Sequence, residues 1–379
     1  MARSQTAASG QTAHGQSFYL LVGTYTNKGT NNTTPPADST GSKGIYLYEW
    51  TDGHARLLSI TPAVNPSFLA AAPDGRHVYA CTESRTQKEG SVSAYTLNRE
   101  TNTLDFINKV PSGSANPAYV SVHKSGRWVA VANYTGGSLG IFPTAANGAL
   151  LPAVQHIRHT GHSINPTRQE HAHVHSAVFS LEGRTLYVQD LGEDSISIHA
   201  FNSAEEKPLV EKDEGFTTIP GTGPRHLTFH PTGNYAYLIE ELGGYVDVFK
   251  FYPGSGKLKL LQRISAHADT AKGPFRSADI HVTPDGRFLY ASNRAENNLA
   301  MFGIDPGTGT LKAIGYQSVL GKEPRNFMID PTGRYLLVAN QDSNNINVFQ
   351  IDARNGRLIP TEERLDLPSP VSLIMIQDK

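Results

Sequence analysis

Six copies of one short phrase dominate the amino-acid sequence. In each copy an apolar run leads into a turn that contains glycine, and a second apolar run follows. The copies read SFLAAAPDGRHVYACTE, AYVSVHKSGRWVAVANY, HSAVFSLEGRTLYVQDL, RHLTFHPTGNYAYLIEE, ADIHVTPDGRFLYASNR and RNFMIDPTGRYLLVANQ. Their turn glycines lie 47 to 57 residues apart, at Gly75, Gly126, Gly183, Gly233, Gly286 and Gly333. A period of this length is that of one supersecondary unit, so the chain is an array of similar units.

Further strand-like runs follow each copy. The next run is rich in β-branched or aromatic residues, as in SISIHAF, YVDVFKF and NINVFQI, and a weaker fourth run such as LKLLQRI comes after it. Four strands in about 50 residues are typical of one blade of a β-propeller. The sequence has no helical periodicity of useful length, which excludes a parallel α/β architecture.

The two ends of the chain complete the count of blades. YLLVGTY, GIYLYEW and ARLLSIT near the N-terminus resemble the second to fourth strands of a blade, and PVSLIMI near the C-terminus resembles its missing first strand. Joining them leaves no open sheet edge. We therefore predict an all-β fold, a seven-bladed β-propeller of four-stranded antiparallel blades, as a single domain over residues 17–379. The small and polar residues 1–16 are predicted to be a disordered tail.

Composition excludes several classes of protein. The chain has 33 Lys+Arg and 34 Asp+Glu, and this net charge of -1 argues against a nucleic-acid partner. It lacks a stretch near the ~20 apolar residues that span a bilayer. The single cysteine, Cys81, excludes an intrachain disulfide framework and a cysteine-based zinc site.

The sequence of residues 1–16 also bears on the cellular compartment of the protein. Residues 1–16 lack the apolar segment of a secretory signal, so we expect a cytoplasmic protein. A periplasmic or secreted location would require that an export signal had been removed. We expect a monomer or a weak dimer.

The repeat predicts which side chains meet. In an antiparallel blade, the first strand begins and the second strand ends on the same face of the ring, around the central channel. Eight residues before the turn glycines stand Ser67, Ala118, His175, Arg225, Ala278 and Arg325; eight after stand Glu83, Tyr134, Leu191, Glu241, Arg294 and Gln341. These charged and titratable side chains at one mouth of the channel predict a site for an anion with an acid/base pair.

Eight residues are assigned to this site. We predict catalytic roles for His175, Glu241, Arg225 and Arg294, and substrate-binding roles for Arg325, His226, His173 and Arg276. Histidine and glutamate can transfer protons, whereas arginine binds phosphate or carboxylate and stabilises an oxyanion. The competing interpretations are structural: a channel histidine bonded to backbone, and ion pairs within or between blades.

A run of alternating histidines invites a metal interpretation. On a strand, His171, His173 and His175 would share one side. Part of the run lies in a loop, however, whereas catalytic zinc ligands are usually fixed on rigid elements. We therefore assign no metal, and we expect no organic cofactor.

Several phrases carry a family resemblance. They resemble the lactonase family of seven-bladed propellers, which includes bacterial 6-phosphogluconolactonases and is related to fungal carboxy-cis,cis-muconate cyclases. The matching phrases are VGTYT, RQE followed by HVHSAVFS, GPRHLTFHPTG, EELGGYVDVF, ADIHVTPDGRFLYASNR and PRNFMIDPTGRYLLVANQ. In the fungal relatives a histidine, two arginines and a glutamate form the site. The resemblance carries these roles to His175, Arg225, Glu241 and Arg294.

The resemblance also implies a function. It implies hydrolysis of a sugar lactone, namely 6-phospho-D-glucono-1,5-lactone to 6-phosphogluconate in the pentose phosphate pathway, by water activated at His175 or Glu241. Two alternatives stay open. One is a lactone-forming cycloisomerase that acts on a carboxymuconate, and the other is a non-enzymatic ligand-binding or scaffold propeller.

Overall fold

The computed structural model describes residues 16–26, 41–83, 89–211 and 215–378, and all further statements concern these residues. The predicted tail lies outside them except for Gln16. The described chain forms 29 β-strands and no α-helix. It therefore contains no helix with the length and apolar character needed to cross a membrane.

The strands form seven antiparallel sheets, which we number as blades 1 to 7. Blade 1 contains β1 (Ser17–Thr24), β2 (Gly44–Thr51), β3 (His54–Pro62) and β29 (Pro370–Gln377). Blade 2 contains β4 (Pro66–Ala71), β5 (His77–Thr82), β6 (Glu89–Asn98) and β7 (Thr103–Ala115). Blade 3 contains β8 (Pro117–Val122), β9 (Trp128–Asn133), β10 (Ser138–Pro143) and β11 (Gln155–Arg158).

Blade 4 contains β12 (Val174–Phe179), β13 (Thr185–Asp190), β14 (Ser195–Phe201), β15 (Leu209–Glu211) and the short β16 (Phe216–Thr217). Blade 5 contains β17 (Pro224–Phe229), β18 (Tyr235–Glu240), β19 (Tyr245–Tyr252) and β20 (Lys257–Ser265). Blade 6 contains β21 (Ser277–Val282), β22 (Phe288–Asn293), β23 (Asn298–Ile304) and β24 (Leu311–Ser318). Blade 7 contains β25 (Pro324–Ile329), β26 (Tyr335–Asn340), β27 (Asn345–Ile351) and β28 (Leu358–Asp366).

The closure of the ring is confirmed. β29 pairs antiparallel with β1, with Val22 opposite Leu373 and Leu20 opposite Met375. The order in blade 1 is β29-β1-β2-β3, so the C-terminal strand is the first strand of a blade whose other strands come from the N-terminus. This pairing removes the edge that an open ring would expose.

The hydrophobic core lies between adjacent blades. β18 is buried at every position because blades pack on both of its faces. Tyr237 and Ile239 of this strand belong to one buried cluster with Ile280 and Leu289 of blade 6. The fourth strands are more exposed, as the mixed burial of β20 shows. The inner strands are therefore held by packing on two sides, which fixes the position of the residues that follow them.

The repeated turns connect the first and second strands of their blades. The six turn glycines have φ between 63° and 75°, the left-handed region that glycine enters without a Cβ clash. In blade 5, the Gly233 N–H donates a hydrogen bond to the His230 carbonyl at 2.8 Å. This tight turn lies at the opposite strand ends from the predicted site and sets the register of both strands.

Candidate active site at the mouth of the channel

β-Bulges at the starts of first strands present three of the predicted side chains. In blade 4 the pairing register shifts between Val174 and Ser176, which leaves His175 as the extra residue. Arg225 and Arg325 are the extra residues of equivalent bulges in blades 5 and 7. A bulge leaves its extra residue unpaired and redirects the side chain. The repeat position eight residues before the turn glycine is thus a bulge position.

Six of the eight predicted residues line one cavity. The cavity has a volume of about 390 Å³, within the usual range for a small-molecule site. The predicted residues on its wall are His173, His175, Glu241, Arg276, Arg294 and Arg325. Glu241 and Arg294 reach it because they directly follow β18 and β22, the second strands of blades 5 and 6. The structure therefore brings together residues that are up to 152 positions apart in the chain (173 to 325).

Glu241 is the electrostatic centre of the cavity. Its carboxylate lies 2.7 Å from Arg168 Nη2, 3.0 Å from Arg225 Nε and 3.0 Å from Arg294 Nη2. Burial alone would raise the pKa of Glu241, but the charges of Arg294, Arg168 and Arg225 hold it well below its usual range. Glu241 is therefore a permanent anion and a weak proton acceptor.

His175 has the opposite electrostatic character. Its Nε2 lies 3.9 Å from Glu241 Oε2, and its buried Nδ1 has no hydrogen-bond partner among the described residues. Burial, followed by the nearby charge of Arg225, holds the pKa of His175 well below its usual value. The imidazole is therefore neutral near pH 7 and retains a lone pair that can accept a proton.

Arg225 and His226 lie behind the cavity wall. Arg225 is 2% exposed; besides its bond to Glu241, its Nη1 donates to the Ala278 carbonyl. His226 is bonded through Nδ1 to Asp279 Oδ1 at 2.8 Å. These internal contacts suit the positioning of Glu241 and of the channel wall, and the catalytic role of Arg225 and the substrate-binding role of His226 stay predictions.

Two further carboxylates, those of Glu323 and Glu83, form ion pairs with arginines of the cavity wall. Arg276 Nη2 donates to Glu323 Oε1 at 2.6 Å, and Arg294 Nη1 lies 3.6 Å from the same oxygen. Arg325 Nη2 lies 3.7 Å from Glu83 Oε2. These ion pairs fix the direction of the guanidinium groups. A guanidinium has five N–H donors, so a carboxylate partner leaves donors that can bind an anionic ligand.

Sequence reasoning missed Arg168 and Glu323. Arg168 lies in the loop between β11 and β12, outside the repeat, so the comparison of repeat positions cannot select it. Its only signal was its place in the motif RQE, just before HVHSAVFS. Glu323 stands ten residues before Gly333, and the same offset from Gly286 selects Arg276. Comparing that second repeat position would have found Glu323.

The expectation that part of the histidine run lies in a loop is confirmed. β12 begins at Val174, so His171 and His173 precede the strand, and His175 is its bulge residue. The rings of His171 and His173 are 4.2 Å apart, whereas His175 packs against His226 at a ring distance of 5.2 Å. The bulge therefore separates His175 from the other two.

The family model described as "Lactonase, 7-bladed beta-propeller" matches residues 19–375. The chain belongs to this lactonase family. The 6-phosphogluconolactonase of Formosa agariphila is 38% identical to it over 317 residues, which is 82% of this chain and 86% of the relative. The 6-phosphogluconolactonase of Bacillus subtilis is 32% identical and covers 92% of this chain, with 96% of the relative matched.

A solved structure agrees with the same assignment. The periplasmic gluconolactonase of Pseudomonas aeruginosa superposes with a TM-score of 0.86 at 34% identity, over 95% of this chain and 99% of that one. All three relatives carry the name of a lactonase. Within this lactonase family, the cavity at the mouth of the channel is the natural candidate for the active site, because it combines a neutral imidazole with fixed positive charges.

Proposed function

We propose that the protein hydrolyses a phosphorylated sugar δ-lactone, 6-phospho-D-glucono-1,5-lactone, to 6-phosphogluconate. The observation that carries the proposal is the convergence of the neutral His175, the anionic Glu241 and several arginines on one cavity. The names of the relatives supply the class of substrate. The surplus of N–H donors on the arginines suits a substrate that carries a phosphate.

His175 is the proposed general base. A water molecule attacks the lactone carbonyl carbon, and its proton passes to the imidazole of His175. The resulting imidazolium is stabilised by the Glu241 carboxylate, whose nearest oxygen is 3.9 Å from Nε2. When the tetrahedral intermediate collapses, the bond between C1 and the ring oxygen breaks, and that oxygen takes the proton from His175. The product is an open-chain carboxylic acid, which loses its proton to solvent water to become the carboxylate, and His175 is neutral again.

The arginines of the cavity differ in how deeply their side chains are buried. The Arg294 side chain is 6% exposed and ion-paired with Glu241, and this depth suits a donor to the developing oxyanion. The side chains of Arg168 and Arg276 are 38% and 36% exposed, and this exposure suits contact with the 6-phosphate near the entrance. Arg325, which is 16% exposed, lies between these extremes and is proposed to bind a sugar oxygen or the phosphate.

The test is a comparison of substrates with purified protein. Hydrolysis of the 6-phosphorylated lactone, glucono-1,5-lactone and a carboxymuconate is followed with the spontaneous rate subtracted. We expect the phosphorylated lactone to have the highest kcat/KM, and His175→Ala to lower its kcat by at least about 100-fold. Arg56→Ala, which removes an exposed arginine paired with Glu49 on the outer surface, is the control and retains full activity.

Two outcomes would overturn the proposal. Turnover of the carboxymuconate at a higher kcat/KM than either lactone would assign the site to cycloisomerisation. Activity within tenfold of the parent in both His175→Ala and Glu241→Ala would exclude the proposed chemistry.

We also propose a cytoplasmic location and a monomeric or weakly dimeric state. The P. aeruginosa relative is named periplasmic, so the competing proposal is a periplasmic location. Subcellular fractionation distinguishes the two compartments. Light scattering coupled to gel filtration measures the oligomeric state.

A further inference from the structure

Glu170, His171 and His173 form a compact group at the rim of the cavity. Glu170 Oε1 lies 3.3 Å from His173 Nε2 and 3.5 Å from His171 Nε2. Their potential ligand atoms all lie within 4.8 Å of one another, and all three residues line the cavity. The mechanism proposed above does not use this group as a unit.

Backbone hydrogen bonds determine which nitrogen of each ring faces Glu170. His171 Nδ1 is bonded to the Ala172 carbonyl at 2.7 Å, and His173 Nδ1 is bonded to the Tyr134 carbonyl at 3.2 Å. A carbonyl oxygen only accepts hydrogen bonds, so both Nδ1 atoms carry hydrogen. In the neutral rings, therefore, both Nε2 atoms present lone pairs to the carboxylate. Three electron-rich atoms that face one another repel unless a positive charge, either a metal ion or a proton on one of the rings, lies between them.

The arrangement has the features of a metal site. Histidine ligands of metals characteristically donate their second N–H to a backbone carbonyl or a carboxylate, which fixes the tautomer. A tetrahedral ion with bonds of about 2.0–2.1 Å has ligand atoms about 3.3–3.4 Å apart. The observed separations of 3.3 and 3.5 Å match that edge length.

The surrounding contacts hold His173 in this orientation. Its ring stacks on Tyr134, with ring centroids 4.5 Å apart and an interplanar angle of 21°. Its backbone N–H donates to Asp190 Oδ1 at 2.7 Å. Both contacts keep the Nε2 edge of the ring directed towards Glu170.

We propose that Glu170 and the Nε2 atoms of His171 and His173 bind one divalent transition-metal ion, with Zn²⁺ as the representative, at the rim of the cavity. Two imidazoles and one carboxylate favour Zn²⁺, Co²⁺ or Ni²⁺ over Mg²⁺ and Ca²⁺. Three protein ligands leave a fourth position for water or a substrate oxygen. The proposal does not depend on the proposed lactonase activity.

A second group of similar residues serves as an internal comparison. His159 Nδ1 is bonded to Asp190 Oδ2 at 2.8 Å, and His159 also lies 3.6 Å from Glu193 Oε2. The other oxygen of Asp190 accepts backbone N–H groups, including those of His173 and Gly192. Because the facing nitrogen of His159 and both oxygens of Asp190 already have protein partners, this group is a weaker candidate.

Binding of Zn²⁺ to tag-free, metal-depleted protein is measured by competition with a chromogenic chelator. The visible spectrum with Co²⁺ reports the geometry. We expect one Zn²⁺ per chain, no displacement by millimolar Mg²⁺, and a tetrahedral Co²⁺ spectrum. His171→Ala and Glu170→Gln, whose side chains are 48% and 44% exposed, should fold normally and bind Zn²⁺ at least about tenfold more weakly.

Two control variants complete the design. His54→Ala removes an exposed histidine that pairs with Glu363, and Glu193→Gln alters the second group; both should retain parent affinity. The proposal is overturned if the parent binds no Zn²⁺, if His171→Ala and Glu170→Gln bind it as tightly as the parent, or if a control variant loses as much affinity as they do.

Discussion

Replacing Glu241 by glutamine removes the charge beside His175 and preserves the shape of the side chain. An imidazolium formed at His175 would lie 3.9 Å from the Glu241 carboxylate. At an effective dielectric constant of about 20, two unit charges at this distance attract by about 4 kcal/mol. Each 1.36 kcal/mol corresponds to a factor of ten in rate, so kcat should fall about 10³-fold in Glu241→Gln.

The assay measures kcat on the 6-phosphorylated lactone together with thermal unfolding. Glu241→Gln leaves three arginines without their shared anion, which lowers the unfolding free energy by about 3–5 kcal/mol. Circular dichroism therefore has to verify that the variant is folded at the assay temperature. Glu241→Asp retains the charge and should recover part of the lost rate.

Glu323→Gln is the matched control, because Glu323 pairs with Arg276 and Arg294 on the same wall. We expect its kcat to stay within about tenfold of the parent. If folded Glu241→Gln also stays within tenfold of the parent, or if Glu323→Gln loses as much rate, the electrostatic role of Glu241 is refuted.

Three further predictions concern binding, pH and the fold. Arg168→Ala should raise KM for the phosphorylated lactone about tenfold and leave KM for the unphosphorylated lactone nearly unchanged, whereas Arg56→Ala should change neither; equal effects on both lactones would contradict phosphate binding by Arg168. Burial lowers the pKa of His226 to about 4, so below pH 6.5 the unfolded chain takes up a proton that the folded chain does not. The unfolding free energy from urea titrations should therefore fall between pH 6.5 and pH 4, and less steeply in His226→Gln; parallel curves would contradict this. Gly233→Ala places a Cβ at a φ of 69° and should cost about 1–2 kcal/mol in the same titrations, whereas Gly254→Ala, which meets no atom within 4 Å, should cost less than about 0.5 kcal/mol; equal costs would contradict the strain argument.

The sequence was sufficient to predict the blades and much of the site because both follow the repeat. The turn glycine sets the register of two strands, so the positions eight residues away from it, such as His175 and Glu241, fall at the channel mouth. The path of a loop is not fixed by strand pairing, so the repeat does not predict where its side chains lie. Arg168 reaches Glu241 from outside the repeat, and its contact depends on the path of the chain between β11 and β12.

The repeat also does not predict how deeply each side chain of the site is buried. Arg225 and Arg325 occupy the same repeat position and the same kind of bulge, yet Arg225 lies behind the wall and Arg325 lines the cavity. The difference comes from the partners that surround each guanidinium. Arg225 is held by Glu241 and a backbone carbonyl, whereas Arg325 lies over the ring of Tyr25 at 5.5 Å. Such partners come from several blades and are known only once the ring is assembled.

A crystal structure with bound 6-phosphogluconate tests the central claim most directly. We predict that the product occupies the cavity, with its new carboxylate beside His175 and Arg294 and its phosphate at Arg168 or Arg276. Density for the product at the opposite end of the channel, or in the cavity with its carboxylate remote from His175, would contradict the account.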